Sequence, residues 1–129
     1  MKIYVAGKWQ DKEYIKQLMA QLRRMGHGIT VDWTSHKYAT PEVHASYAVD
    51  DIRGVKEADA CIFIFERDYH YRGALVELGA ALALDKVIYV VGHYEDDCIF
   101  ILHPIVKRFD CADDIITSLT IEEEEPQYP

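Results

Sequence analysis

The chain alternates short, almost continuously apolar runs with longer segments of mixed polarity. Apolar runs occupy residues 2–7, 58–66 and 86–92, and glycine or charged residues bound them. Runs of this length predict buried strands rather than helices. We predict a further strand in "GHGITVDW" (26–33), which follows a glycine-containing turn, and a fifth strand near 107–110.

The segments between the apolar runs carry the period of amphipathic helices. In residues 11–25 the apolar positions follow the i, i+3, i+4, i+7 spacing of a single helix face. These positions are Ile15, Leu18, Met19, Leu22 and Met25. Further helices are predicted over residues 44–58 and 73–84, and a closing helix over "ADDIITSL" (112–119). The polar, proline-bearing segment 34–43 is predicted to be a loop.

This alternation of strands and helices predicts an α/β fold with a five-stranded, mostly parallel sheet between helical layers. We expect one domain over residues 1–121 and an acidic, flexible tail over residues 122–129. In such sheets, ligands bind beyond the carboxyl ends of the strands, where the strand order reverses. The site is therefore expected in the loops that follow residues 6, 32, 65 and 91.

The charge balance narrows the classes of partner. The formal net charge of −8 argues against a surface for nucleic acid polymers or anionic membranes, since both need clustered Lys and Arg. No apolar run reaches the length of a membrane span, and the N-terminal run is too short for a secretory leader. The cysteines lack C-x-x-C spacing, and Cys61 lies in a predicted core strand. We therefore predict a cytoplasmic protein, and the charge does not exclude a small nucleotide ligand held at a local site.

Several motifs of nucleotide and metal enzymes are absent from the sequence. There is no G-x-G-x-x-G after the first strand, no G-x-x-x-x-G-K-[ST] phosphate loop and no H-E-x-x-H pair. The six histidines show no metal-ligand spacing, and each is interpreted as a surface or loop residue. Hydride transfer, kinase activity and zinc-dependent hydrolysis lose their support, and we expect neither a metal nor a cofactor.

Asp51 is the first carboxylate at an unusual position. On a helix, Asp51 shares a face with the apolar residues Ile52 and Val55, whereas Asp50 points the other way. A carboxylate on the inward face is costly unless it is paired or used in chemistry. The alternative is a structural role, in which Asp51 caps a helix or forms a salt bridge.

Glu77 is the second such carboxylate, in "RGALVELGAALALDK" (72–86). The helix is apolar almost all round, which predicts burial on more than one side. Near the start of the helix, the backbone dipole would favour the ionised form of Glu77, and this effect alone could explain the residue. The small neighbouring side chains would also allow a second subunit to approach and enclose Glu77. An ionised carboxylate in such an enclosed site is suited to act as a nucleophile.

Three more residues fall in or at the ends of predicted strands. Tyr4 lies in the first strand and is either a packing residue or a residue of the site. Asp32 and Trp33 end the second strand. Trp33 is either a stacking platform for a nucleobase or the edge of the core. The sequence pattern leaves both interpretations open.

Three segments together resemble the nucleoside 2-deoxyribosyltransferase family, which includes 2′-deoxynucleoside 5′-monophosphate N-glycosidases. They are "IYVAG" (3–7), "DIRGVKEAD" (51–59) and "GALVELGAALA" (73–83), with "DWT" (32–34) in support. The resemblance covers about residues 2–110. It implies a flavodoxin-like (Rossmann-like) three-layer sandwich and a homodimer or higher homo-oligomer with shared active sites.

The resemblance also implies a reaction. The N-glycosidic bond of a 2′-deoxynucleoside or its 5′-monophosphate would be cleaved through a covalent glycosyl–glutamate intermediate, with transfer to another nucleobase or to water. Glu77 would attack C1′, Asp51 would hold the sugar or handle the proton of the departing base, and Tyr4 would orient Glu77. Such chemistry needs two carboxylates whose environments push their pKa values apart. His103, in "FILHPI", would come from a neighbouring subunit.

The substrate-binding residues implied by the resemblance are Gly7, Lys8, Trp9, Asp32, Trp33, Arg72, Gly73 and His103. Monophosphate-specific members carry a serine- and glycine-rich loop after the first strand, where this chain has Lys8, Trp9 and Gln10. That departure is closer to transferases of unphosphorylated nucleosides, whereas the short chain resembles the hydrolase branch, so both alternatives stay open. Lys8 could still bind a phosphate through its ammonium charge, and Arg72 through the paired N–H groups of its guanidinium. Two other functions stay open: a nucleotide-binding sensor without catalysis, and a glycohydrolase of ribosyl substrates such as NAD.

Overall fold

The structure, a computed structural model, describes residues 1–37 and 40–124. In this part of the chain one sheet has the strand order β2-β1-β3-β4-β5, and every neighbouring pair is parallel. The strands are β1 (Lys2–Ala6), β2 (Gly28–Ile29), β3 (Ala60–Ile64), β4 (Val87–Val91) and β5 (Val106–Phe109). The helices are α1 (Lys12–Arg24), α2 (Pro41–Glu57), α3 (Arg72–Ala83) and α4 (Ala112–Glu124).

The strand order confirms the predicted flavodoxin-like α/β fold. The chain leaves β1 toward β2 at one edge, then returns to β3 and continues to β4 and β5 on the other side. The order therefore reverses between β1 and β3, and this is the place where such sheets bind ligands. Helices α2 and α3 pack against each other on one face, whereas α1 and α4 lie together on the other.

The central strands and the inner faces of the helices form the hydrophobic core. Every residue of β3 is buried, including Cys61, as predicted. The predicted apolar face of α1 is confirmed, since Ile15, Leu18, Met19 and Leu22 are all buried. In the described residues, no helix combines the length and the apolar character needed to cross a membrane.

Two boundaries differ from the prediction. Strand β2 is only two residues long, because the chain turns into a short 3₁₀ helix at Trp33–Ser35. Helix α2 begins at Pro41, three residues before the predicted start. Thr40 caps this helix through its side chain, and a proline at the first helical position is favourable because its φ is already helical. The proline that indicated a loop therefore begins a helix.

The end of the chain also departs from the prediction. Helix α4 continues to Glu124, so its last turn includes three residues of the segment predicted as a flexible tail. Acidic side chains do not by themselves end a helix, and Glu is a good helix former. Residues 125–129 of the predicted tail lie outside the described residues.

Gly54 allows α2 to pack closely against the sheet. A Cβ atom at this position would lie 2.8 Å from Val31 Cγ2 and 2.9 Å from Tyr4 Cδ1. The Thr30 hydroxyl also donates a hydrogen bond to the Gly54 carbonyl at 2.9 Å. Asp51 lies one turn earlier on α2, and its charge acts on Tyr4, so the close approach at Gly54 helps to hold Asp51 near Tyr4.

We expect Gly54→Ala to lower the free energy of unfolding by about 1–3 kcal/mol, since the new methyl group overpacks a filled space. Urea denaturation followed by circular dichroism measures this change. Gly79→Ala is the matched control, because a Cβ at Gly79, also in a helix, meets nothing within 4 Å. The control should gain stability through the higher helix propensity of alanine. Equal stability of the two variants would contradict the close packing of α2.

Candidate active site

A cavity of about 530 Å³ opens at the point where the strand order reverses. Its walls come from the loop after β1, the segment after β2, helix α2 and the start of α3. Nine predicted site residues line it: Tyr4, Gly7, Lys8, Trp9, Trp33, Asp51, Arg72, Gly73 and Glu77. Eight others were not predicted: His36, Lys37, His44, Tyr47, Ala48, His70, Tyr71 and Ala74. Three of the four predicted loops contribute, and the described lining includes nothing from the loop after residue 91.

Three elements bring Glu77, Asp51 and Tyr4 to the same cavity. Glu77 lies on α3, Asp51 on α2 and Tyr4 in β1. Within the described residues, one buried oxygen of each carboxylate, Glu77 Oε2 and Asp51 Oδ1, lacks a hydrogen-bond partner. The Tyr4 hydroxyl serves as a side-chain hydrogen-bond partner of Glu77. Two carboxylates therefore keep acceptor atoms unsatisfied where a ligand would meet them.

Burial dominates the electrostatics of the carboxylate pair. It raises the pKa of Glu77 to about 7, while the hydrogen bond from Tyr4 lowers that pKa and the charge of Asp51 raises it. Burial also raises the pKa of Asp51, and the nearby His36 acts in the opposite direction. The expectation that the helix dipole keeps Glu77 readily ionised is wrong. Glu77 is the sixth residue of α3, and the dipole effect is confined largely to the first turn.

Asp50 shows the contrast with an ordinary surface aspartate. Its carboxylate lies 3.3 Å from the Arg53 guanidinium, and its side chain is 40% exposed. This agrees with the prediction that Asp50 and Asp51 point in different directions. No salt bridge to Asp51 occurs in the described part of the chain, so the structural alternative for Asp51 lacks support.

Trp33 belongs mainly to the core. Its side chain is buried, and its indole Nε1 donates to the Val5 carbonyl at 2.6 Å. Asp32 is not among the described residues that line the cavity. Its Oδ1 accepts the Thr34 N–H at 3.0 Å, which caps the 3₁₀ helix, and its Oδ2 lies 3.8 Å from Arg23. The structure gives Asp32 a capping role in place of the predicted substrate contact.

The loop after β1 and the start of α3 form the cationic side of the cavity. The Lys8 ammonium donates to the His70 carbonyl, which joins the two segments. Arg72 is exposed at the first position of α3. Trp9 is 42% exposed, and the Lys12 ammonium lies 4.1 Å from the centroid of its ring. Positive charge therefore lines one side of the cavity that Glu77 also lines.

The sequence matches the family profile described as "Nucleoside 2-deoxyribosyltransferase" over residues 3–125. The chain belongs to the nucleoside 2-deoxyribosyltransferase family. This confirms the resemblance predicted from the three sequence segments, and it makes the chain an enzyme of the deoxyribosyltransferase family. Comparison with curated protein sequences gives no significant match.

Solved structures share the fold of this family member. The CMP N-glycosidase BcmB of Clostridium botulinum is 20% identical with a TM-score of 0.66, over 94% of this chain and 99% of that chain. A 2-deoxyribosyltransferase of Bacillus psychrosaccharolyticus is 20% identical with a TM-score of 0.67, over 89% and 90% of the chains. A 2-deoxyribosyltransferase of Leishmania mexicana is 17% identical with a TM-score of 0.67, over 96% and 99%. At these identities the likeness establishes the fold.

His103 lies away from the cavity of its own chain. It is exposed, follows the 3₁₀ helix Ile99–Leu102, and its ring Nδ1 accepts the Ile105 N–H at 3.2 Å. It is not among the described residues of the cavity wall. A role for His103 in this deoxyribosyltransferase-family site therefore requires the neighbouring subunit that the resemblance implies.

The main group that sequence reasoning missed is aromatic. His36, His44 and Tyr47 line the cavity, although the histidines were interpreted as surface or loop residues. One signal was available, because Tyr47 and Asp51 are four residues apart and therefore share a helix face. Both residues lie within the helix predicted over residues 44–58, so this signal was present in the sequence. In the described residues no cluster of His, Cys, Asp and Glu could hold a metal ion.

Proposed function

We propose that this enzyme cleaves the N-glycosidic bond of a 2′-deoxynucleoside or its 5′-monophosphate, with Glu77 as the nucleophile. One observation carries the proposal. Glu77 and Asp51 face one cavity from two helices, and each keeps a buried oxygen without a described protein partner. Retaining glycosyl transfer requires such a pair of carboxylates beside the sugar. Tyr4, next to Glu77, is placed to orient the attacking carboxylate.

The proposed reaction has two steps. In the first, a Glu77 carboxylate oxygen bonds to C1′ as the bond from C1′ to the base nitrogen breaks. The base leaves with that electron pair and takes a proton from the Asp51 carboxylic acid. In the second, water or another nucleobase attacks C1′ and gives a proton to the Asp51 carboxylate, while the bond from C1′ to Glu77 breaks. Burial of Asp51 supports this role, because its raised pKa favours the protonated acid that the first step uses.

Base release tests this proposal directly. The enzyme is incubated with the common deoxynucleosides and their 5′-monophosphates, with and without a second free base, and the products are separated by chromatography. We expect free base from at least one substrate, and a new nucleoside when transfer competes with water. A higher kcat/KM for the monophosphate would assign the cationic side of the cavity to phosphate. If NAD, tested in the same assay, is the only substrate that releases its base, the enzyme is a ribosyl glycohydrolase, and no release from any of these substrates would refute the proposed function.

The pKa of Glu77 gives an expected pH dependence. Only the ionised carboxylate attacks C1′, so kcat/KM should rise as Glu77 ionises around its pKa of about 7, and it should fall again where Asp51 loses the proton that the first step uses. The hydrogen bond from Tyr4 lowers this pKa. Tyr4→Phe should therefore move the acid limb to higher pH. An unchanged acid limb in Tyr4→Phe, measured as kcat/KM from pH 5 to 9, would contradict the role of Tyr4.

A homo-oligomer with shared sites completes the proposal. Several large apolar side chains are exposed near α3 and His103: Val76, Ile99, Phe100 and Leu102. A second subunit that covers these side chains would remove them from water and could bring His103 to a neighbouring cavity. Sedimentation velocity measures the oligomeric state. A monomer that still releases base would contradict shared sites.

A further inference from the structure

Three aromatic side chains form a wall of the cavity that has no part in the mechanism above. We call His36, His44 and Tyr47 the aromatic wall. The His36 and Tyr47 rings are parallel, with centroids 3.8 Å apart and an angle of 7° between their planes. The centroids of His44 and Tyr47 are 5.9 Å apart. The Tyr47 hydroxyl also donates to the Lys37 carbonyl at 3.4 Å. The contacts of His36 and Lys37 with Tyr47 on α2 thus hold the wall together.

The aromatic wall lies beside Asp51. Tyr47 precedes Asp51 by four residues on α2, which places the two side chains one turn apart on the same helix face. The charge of His36 also acts on the Asp51 carboxylate, so the His36 ring lies near that group. By contrast, Lys8 and Arg72 come from the loop after β1 and the start of α3. The carboxylate assigned to the departing base is therefore flanked by flat rings.

The tryptophans of the cavity are less suited to hold a base. The indole of Trp33 is buried in the core and is fixed by its hydrogen bond to Val5. Trp9 has the Lys12 ammonium above its ring. Nucleobases bind proteins by stacking on aromatic faces, which contributes about 1–3 kcal/mol per base. Among the aromatic rings described around the cavity, the stacked His36–Tyr47 pair lies next to the group that handles the base.

We propose that the aromatic wall is the nucleobase subsite, in which the stacked His36–Tyr47 pair supports the base beside Asp51. This inference rests on the proposed function, since Asp51 marks the position of the base. It predicts the orientation of the substrate: the base lies along α2, and the 5′ end of the sugar points toward Lys8 and Arg72. The His36 ring nitrogens add hydrogen-bonding groups that could contact polar atoms of the base.

Separate binding of the two halves of the substrate tests the proposal. The dissociation constants of free nucleobases and of 2-deoxyribose 5-phosphate are measured by calorimetry for the wild type and the variants. Tyr47→Ala and His36→Ala should weaken base binding about 10-fold, equivalent to ~1.4 kcal/mol, and change sugar phosphate binding by less than about 2-fold. Tyr47→Phe keeps the ring and should keep base binding. Tyr94→Ala, an exposed tyrosine outside the cavity wall, is the matched control.

Each outcome decides one question. Base binding that stays unchanged in both alanine variants overturns the aromatic wall, even when the wild type releases base. Equal weakening of base and sugar phosphate also overturns it, because that pattern indicates a general disturbance of the cavity. If Tyr47→Ala does not fold, His36→Ala, in the loop before α2, carries the same test. An enzyme that binds bases through the wall but releases none refutes the proposed function alone.

Discussion

Replacement of Glu77 by glutamine is expected to stop base release while the chain stays folded. Glutamine has the shape of glutamate, but its neutral amide cannot form the glycosyl ester with C1′. Loss of a covalent nucleophile typically costs a factor of about 10⁴ or more in kcat. Base release by the variant should therefore fall to the background of the chromatographic assay, and the second half-reaction has no intermediate to act on.

The same substitution is expected to stabilise the folded chain at high pH. Burial raises the pKa of Glu77 from 4.5 to about 7 in the folded state. The folded state thus binds the proton more tightly than the unfolded state, and this contribution to stability is lost as the pH rises from 4.5 through 7. At pH 8 the ionised carboxylate costs on the order of 3 kcal/mol, since one pKa unit is about 1.4 kcal/mol. Glutamine avoids that cost.

Activity and thermal stability measured on the same samples separate a nucleophile from a structural residue. Glu77→Gln should be inactive, with a Tm above that of the wild type at pH 8 and a smaller difference at pH 5. Glu57→Gln on α2 is the matched control, because its carboxylate is half exposed and lies 3.7 Å from Arg53. That control should keep full activity. An active Glu77→Gln variant would refute the nucleophile, and a lower Tm at both pH values would indicate a structural role.

The sequence predicted the fold because its strands are short and uniformly apolar. A sheet covered on both faces leaves that pattern directly in the sequence, as in β3, where every residue is buried. The sequence predicted β2 poorly, since only Gly28–Ile29 pair with the sheet. The remaining residues of the predicted strand lead into a turn capped by the side chain of Asp32. Such a competing local hydrogen bond is invisible to a count of apolar positions.

The two carboxylates of the cavity were more predictable than its aromatic wall. A carboxylate on an apolar helix face conflicts with burial, and that conflict identified both Asp51 and Glu77. His36 and Tyr47 show no such conflict with burial, because both side chains are common in polar, exposed segments. Their stacking is a tertiary contact between His36 and a residue of α2, and no local pattern records it. The sign of the Glu77 pKa shift depends in the same way on tertiary burial, which overrides the local effect of the helix dipole.

Among substitutions of a single glycine of the chain by alanine, Gly92→Ala is expected to be the most destabilising. Gly92 has φ +90°, which disfavours other residues, and a Cβ there would lie 2.2 Å from the Phe65 carbonyl oxygen. Its own N–H donates to the Phe109 carbonyl at 3.0 Å, and its carbonyl accepts from Arg108 at 3.0 Å. The backbone therefore cannot move away from the clash without breaking bonds at the ends of β4 and β5.

Strain from positive φ and backbone overlap should together lower the free energy of unfolding by about 3–5 kcal/mol. Because small domains are stable by only about 5–15 kcal/mol, Gly92→Ala should show a large loss in urea midpoint. Gly26→Ala separates the two causes, since Gly26 has φ +95° but its Cβ would meet nothing within 4 Å. Its free energy of unfolding should fall by only about 1 kcal/mol, which is the cost of the strained φ. Equal losses in the two variants would show that φ alone, and not the approach of Gly92 to Phe65, requires glycine at the end of β4.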